Sequence, residues 1–91
     1  MSGEWRAEME AASAAHLAAR RVREQADHDT AVIAGLYLGD LDGGHSEMAE
    51  VRLRHLREAV AARSAAQAAL DGALEHWAAV SARRPVEAVA S

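Results

Sequence analysis

The chain holds one proline, Pro85, so no proline interrupts a helix over the first 84 residues. Proline stops a helix because it lacks the backbone N–H and its ring clashes with the preceding turn. Glycine, which favours turns, is concentrated at Gly39, Gly43 and Gly44. This distribution predicts an all-α hairpin over 1–84, with a helix at 3–38, a turn at 39–45, a second helix at 46–83 and a flexible tail at 85–91.

The first segment has one apolar face. Arg6, Glu10, Arg20 and Glu24 fall on the opposite side when successive residues are placed 100° apart. This pattern is typical of an amphipathic helix, which needs an apolar neighbour. The residues on the apolar face are Trp5, Met9, Ala12, Ala19, Val22, Ala26, Thr30, Ile33, Leu36 and Tyr37.

The second segment carries two neighbouring apolar stripes, which predicts two neighbouring helices rather than one. The leucine-rich stripe consists of Leu53, Leu56, Val60, Leu70, Leu74 and Trp77. The alanine-rich stripe consists of Ala59, Ala62, Ala66, Ala69, Ala73 and Val80. Either stripe can face the first helix, and the other then faces a second chain.

The short turn predicts that the two helices are antiparallel neighbours, since helices joined by few residues pack side by side. A turn centred near residue 42 places residues whose numbers add to about 84 at the same level. Trp5 would then lie near Trp77, and Ile33 near Val51. The chain has 22 large apolar residues, more than one pair of helices can cover, so we expect a dimer that completes a four-helix bundle.

Two polar residues interrupt the leucine-rich stripe. Arg63 and Gln67 lie one turn apart, and the predicted register places no acid of the first helix at their level. One hypothesis places Arg63 against Gln67 of a second copy, where a polar pair fixes the register. In the alternative, Arg63 lays its stem on the core and keeps its charge in water. The predicted protein interface comprises Leu53, Leu56, Val60, Arg63, Gln67, Leu70, Leu74 and Trp77.

A metal-binding, ferritin-like bundle is the second functional class. Asp29, His55 and Glu58 fall on facing sides of the helices, and carboxylates with histidine can share a metal in a bundle. Arginines crowd the same region, so we favour ion pairs there, Asp29 with Arg52 and Asp27 with Arg57. His76 would pair with Glu8. We therefore predict no metal and no cofactor.

Composition excludes several other functions. The net charge is −4, which disfavours nucleic-acid binding, and there is no cysteine for a thiolate or a disulfide. No apolar run approaches the 18 residues of a membrane span. The acidic N-terminal segment does not resemble a secretory signal, so we expect the cytoplasm. No catalytic constellation or small-molecule substrate site is evident, so we expect a non-enzyme.

The segment "YLG", Tyr37 to Gly39, resembles the aromatic-x-Gly turn of the WXG100 proteins, which are helical hairpins of about this length. The resemblance covers these three residues and the overall size, and it implies a dimer secreted by a type VII system. The turn lacks tryptophan, and the second helix ends in "WAAVSARR" instead of the export signal of that family.

The function expected from these features is protein interaction. The chain would associate with itself, or with another helical protein, through its leucine and alanine stripes. Adaptors, assembly subunits and regulators all share this description. The metal-binding bundle and the WXG100-like secreted hairpin are the alternatives.

Overall fold

A computed structural model describes residues 2–85, and these form two long helices with no strand among them. Helix α1 spans Ser2–Asp42 and helix α2 spans Ser46–Ala82. They lie antiparallel in a rod of 67 × 16 × 14 Å. The predicted all-α hairpin is therefore confirmed. Of the predicted tail at 85–91, all but Pro85 lies outside the described residues.

The turn is shorter than predicted, because α1 continues four residues beyond Leu38. Gly39 lies inside the helix, and Gly44 adopts the left-handed conformation, with φ of +74°. The amides of Gly43, Gly44 and His45 donate to the carbonyls of Gly39, Leu41 and Asp40, at 2.9, 3.2 and 2.8 Å. These bonds close α1 at its last turn, as expected of a helix ended by a left-handed glycine.

This shift changes the interpretation of the segment at residues 37–39. "YLG" belongs to α1 and not to the connection, so the three residues that carry the resemblance to the WXG100 proteins lie in a helix. Helix α2 begins at Ser46 as predicted, and the side chain of the preceding residue, His45, makes no capping hydrogen bond. The second helix ends at Ala82, within one residue of the prediction.

The two helices meet along a seam in which partly or fully buried residues recur at alternating spacings of three and four, a heptad repeat. The seam of α1 consists of Trp5, Met9, Ala12, His16, Ala19, Arg23, Ala26, Thr30, Ile33, Tyr37 and Asp40. The seam positions of α2 are Ala49, Arg52, Leu56, Ala59, Arg63, Ala66, Leu70, Ala73, Trp77 and Val80, of which Arg63 and Trp77 are the more exposed.

The seam of α2 takes every second residue from each predicted stripe. Leu56 and Leu70 come from the leucine-rich stripe, and Ala59, Ala66 and Ala73 come from the alanine-rich stripe. Neither stripe as a whole faces α1, because the line of contact runs along the boundary between them. Alanine recurs every seven residues on both helices, and such small side chains let the two backbones approach closely.

The register differs from the predicted one. Hydrogen bonds between the helices join residues whose numbers add to about 90, such as Arg23 with Gln67 and Thr30 with the carbonyl of Ala59. The expected sum was 84. The difference follows mainly from the longer α1, since moving the centre of the turn from residue 42 to 44 raises the sum by four. Trp5 and Trp77 therefore lie at different levels.

Candidate functional site

The middle of the rod carries a continuous polar network that crosses the seam. Arg63 places Nε 2.8 Å from Oδ1 of Asp27, which also forms an ion pair with Arg23. Arg23 donates from Nε to Oε1 of Gln67 at 2.7 Å. Gln67 in turn donates from Nε2 to Oδ1 of Asp71 at 2.9 Å. Two cations and two anions are thereby joined through one amide.

The network acts on the protonation of Asp27. A hydrogen bond from Arg23, reinforced by the charges of Arg23 and Arg63, holds the pKa of Asp27 below its usual value of 3.8. Desolvation of the carboxylate opposes this shift without cancelling it. The two arginines therefore favour the charged form of Asp27, as expected for a carboxylate beside two cations.

The structure answers the question raised by Arg63. An acid of the first helix does lie at its level, contrary to the sequence analysis, because the corrected register brings Asp27 there. The charge of Arg63 is paired within the chain and needs no partner from a second copy. The predicted pairs of Asp27 with Arg57 and of Asp29 with Arg52 are not formed either, and Arg52 pairs with Asp40 instead, at 3.4 Å.

The eight predicted interface residues fall into two groups. Four lie along the seam with α1: Leu56, Arg63, Leu70 and Trp77. The other four lie beside the seam, on the side that carries the polar network: Leu53, Val60, Gln67 and Leu74. We refer to this side of the rod as the network face.

The second group recurs every seven residues, one position after the seam residues of α2. A column of this kind, added to the two seam columns, is typical of a helix that packs against a third helix in a bundle. Val60 and Leu74 retain 46% and 48% of their accessible surface, so nothing in the described chain covers them fully.

Helix α1 adds further apolar residues to the network face. Leu17, Leu38 and Leu41 project on this side by their helical positions, and they are 44%, 62% and 51% exposed. Leu17 lies at the level of Leu74, and Leu38 lies at the level of Leu53. The face therefore has leucines toward both ends and the polar network between them.

The opposite side of the rod holds an open groove of about 720 Å³. Its floor is apolar, with Val22, Val32 and Ile33 from α1 and Ala59 and Ala62 from α2. Polar side chains line the same groove, namely Gln25, His28, Asp29, His55 and Glu58. We refer to this side as the groove face.

The groove brings together the three residues considered as metal ligands, Asp29, His55 and Glu58. They do not form a coordination group, since residues 2–85 contain no set of three histidine or acidic side chains placed to share a metal. The carboxylate of Asp29 instead accepts a hydrogen bond from Gln25 at 2.8 Å. This geometry gives no support to the ferritin-like alternative.

The open end of the rod is closed by Trp5. Its indole Nε1 donates to the carbonyl of Val80 at 2.8 Å, and the guanidinium of Arg84 lies 6.0 Å from the centre of its ring. Glu8 pairs with Arg83, at 2.9 Å, and not with His76 as predicted. Trp77 does not meet Trp5 but donates to Ser13 at 3.1 Å.

Sequence analysis missed Arg23 and Asp71, which link the network on either side of Gln67. A usable signal existed, since Arg23 lies seven residues after His16 and seven before Thr30 and so occupies a seam position. An arginine in the seam requires a polar partner close by, which points to Asp27 and Gln67.

The fold and its contacts place the chain in the class of antiparallel helical hairpins. Exposed apolar residues lie on both sides of the contact between its helices. No family model matches the chain, and neither a curated protein nor a solved structure shows significant similarity to it. Across residues 2–85, neither helix has a stretch long and apolar enough to cross a membrane.

Proposed function

We propose that the chain is a non-enzymatic protein-interaction module. Helices of another polypeptide pack against its exposed apolar residues and cover them. The partner is a second copy of the chain or another helical protein, and the resulting assembly is a bundle of at least four helices. We further propose that it works in the cytoplasm, as an adaptor, an assembly subunit or a regulator.

One observation carries this proposal: the fully buried residues are small, while many of the large apolar residues remain exposed. Within the described chain, the apolar core consists of Ala12, Ala49, Ala66 and Val80. Ten larger apolar side chains keep at least a third of their surface, namely Leu17, Val22, Val32, Leu36, Leu38, Leu41, Met48, Val60, Leu74 and Trp77. Exposed apolar surface of this extent is typical of interaction sites.

The energetics support the same proposal. Burying a leucine or valine side chain contributes about 1.5–3 kcal/mol, whereas an alanine contributes roughly one methyl group. A seam built largely on alanine therefore gives little stability for two helices of 41 and 37 residues. Covering the flank leucines with further helices adds the apolar burial that the isolated hairpin lacks.

Sedimentation velocity across a wide range of protein concentration tests the proposal, combined with recovery of bound proteins from the native host. We expect either a species of at least twice the mass of the chain, or a stoichiometric complex with another helical protein. A single chain that stays folded and monomeric at every concentration, and that recovers no partner, would contradict the proposal.

The test is sharpened by two matched substitutions of exposed apolar residues. Leu74→Asp alters the network face, and Val22→Asp alters the groove face, at 48% and 60% exposure respectively. Because both positions are solvent-accessible in the hairpin, neither change disturbs the seam. The variant that abolishes association identifies the face that binds.

A further inference from the structure

The network face is self-complementary in the positions of its leucines. Leu17 of α1 and Leu74 of α2 lie at one level, because hydrogen-bonded residues across the seam have numbers that add to about 90. Leu38 and Leu53 lie together at a second level. The two levels are separated by 21 residues on each helix, or about 31 Å.

Several charges of this face lie between the two leucine levels. Arg20 pairs with Glu24 on α1, at 3.3 Å, and Asp71 on α2 accepts from Gln67. By helical position Arg20 and Asp71 are at nearly the same level, one on each helix. A surface whose acids and bases sit at equal heights on two antiparallel helices can match a copy of itself.

We propose that the partner of the network face is a second copy of this chain, packed face to face with both turns at the same end. This inference rests on the proposed function and names its partner. The two-fold axis runs along the rods, so that α1 of one copy lies antiparallel against α2 of the other. Each α1 residue then faces an α2 residue of the second copy, and the numbers of the two residues add to about 91.

This arrangement pairs apolar residues with one another at both leucine levels and brings together one pair of opposite charges. Leu41 is the exception, since it faces Glu50 of the second copy. Leu17 meets Leu74 of the second copy, Leu38 meets Leu53, and Ala31 meets Val60. Arg20 meets Asp71, which adds an ion pair between copies, and each contact occurs twice by symmetry. By their helical positions all of these residues project on the network face.

The second arrangement that matches the leucines has the turns at opposite ends. It places α1 against α1, with Leu17 opposite Leu38 of the other copy, and α2 against α2, with Arg57 opposite Asp71. It also places Asp27 within one residue of the level of Asp27 of the other copy, at the centre of the interface. Facing like charges destabilise an interface, so the arrangement with both turns at one end is favoured.

The size of the contact also favours a lengthwise pair. A stable interface removes about 800 Å² from each partner. The rod is 67 Å long with a cross-section of 16 × 14 Å, so an end-to-end contact is far too small. Only packing along the rod provides an interface of that size.

Charge reversal tests the proposal. Arg20→Asp sets an acid against Asp71 of the other copy, and we expect the dimer Kd to rise about tenfold, since two exposed ion pairs are lost and replaced by repulsion. The double variant Arg20→Asp/Asp71→Arg restores the wild-type Kd. Arg57→Asp is the matched control, an exposed arginine on the same face, and leaves the Kd unchanged.

The opposite pattern would overturn the proposal. If Arg57→Asp weakens the dimer and Asp71→Arg rescues it while Arg20→Asp has no effect, the turns lie at opposite ends. If none of these variants alters a wild-type dimer, the network face is not the interface, although self-association stands. A wild-type chain that is monomeric at every concentration, or bound only to another protein, also refutes the proposed pairing.

Disulfide trapping gives an independent readout, because the chain contains no cysteine. Equal mixtures of Arg20→Cys and Asp71→Cys chains are expected to form mixed disulfides on mild oxidation. Mixtures of Arg57→Cys and Asp71→Cys chains are not. Trapping in the second mixture alone would contradict the proposal, and circular dichroism of each variant confirms that the helices are formed.

Discussion

Single side chains reinforce the register that the short turn sets in this hairpin, because the seam alone does not specify it. Alanine repeats every seven residues on both helices, so sliding one helix by a heptad replaces alanine with alanine over much of the contact. The bonds that distinguish the observed register are polar. They join Trp5 to Val80, Arg23 to Gln67 and Asp27 to Arg63, in the way that buried polar groups specify alignment in helix pairs.

Asp27 gives the hairpin a pH dependence of known sign. Its pKa is lower in the folded chain than the ordinary 3.8, so the charged form favours folding. This contribution is complete above pH 3.8 and is lost as the pH falls through the lower folded value. We expect the stability difference between wild type and Asp27→Asn to shrink as the pH falls from about 5 to 2.

Thermal unfolding followed by circular dichroism over this pH range measures the effect. Asp42→Asn is the control, because Asp42 is an exposed acid at the end of α1 outside the network. A constant difference between wild type and Asp27→Asn at all pH values would show that the two arginines do not act on Asp27 as described.

The indole of Trp5 supplies the second residue-scale prediction. Trp5→Phe removes the donor to the carbonyl of Val80 but keeps an aromatic ring beside Arg84. We expect a loss of about 1 kcal/mol in the free energy of unfolding, the usual net value of one hydrogen bond. Trp77→Phe, which loses an exposed bond to Ser13, is expected to cost less. Urea denaturation of both variants makes the comparison, and equal losses would contradict it.

At the scale of the helices, the sequence predicted the existence of both helices well and their boundaries less well. The absence of proline before Pro85 and the apolar periodicity were enough to predict both helices. The end of α1 was missed because Gly39 and Asp40 look like turn residues. The structure carries the helix through them, since the last carbonyls find the amides of Gly43, Gly44 and His45.

The error in the turn then propagated to every predicted contact across the seam. A shift of two residues in the centre of the turn changes the sum of facing residue numbers by four, which is one helical turn. Asp27 was therefore assigned to Arg57, and Arg63 was left without an acid. Sequence patterns give the faces of helices, but the level at which two faces meet depends on where the turn between the helices begins and ends.

The alanine seam makes a prediction about packing. Ala66 is 6% exposed at the contact with α1, so Ala66→Leu forces the helices apart and is expected to destabilise the hairpin by about 1–3 kcal/mol. Ala68→Leu adds the same side chain at an exposed position two residues away, and its expected effect stays within about 0.5 kcal/mol. Urea denaturation monitored by circular dichroism compares them. Equal effects would show that the helices do not meet at Ala66.

The whole molecule is a long and narrow rod, and many of its large apolar residues lie beside the seam between the helices instead of within it. The prediction of a surplus of apolar surface came from counting, since 22 large apolar residues exceed what two helices can hide. Which residues remain exposed could not be predicted, because the seam divides both stripes of α2. Leu56 and Leu70 are used within the chain, whereas Leu53, Val60 and Leu74 lie beside the seam.

Association should appear as a dependence of stability on concentration. If the folded form is a dimer, the midpoint of thermal unfolding rises with protein concentration, by about 4 °C for each tenfold increase. Leu74→Asp on the network face is expected to remove the dependence, and Val22→Asp on the groove face to preserve it. Differential scanning calorimetry at several concentrations measures it, and a midpoint that is constant for the wild type would exclude coupled folding and association.

The seven-residue repeat of the seam has a consequence for the shape of any partner. A straight α-helix drifts by about 20° per heptad from such a repeat, so the two helices must supercoil with a left hand to stay in contact. Over the five heptads between Trp5 and Asp40, the outer faces rotate by about 100° around the rod. A straight, stiff ligand can follow them for only part of their length. Chirality thus selects the occupant, because only a body that winds with the same hand can remain in contact from one end to the other.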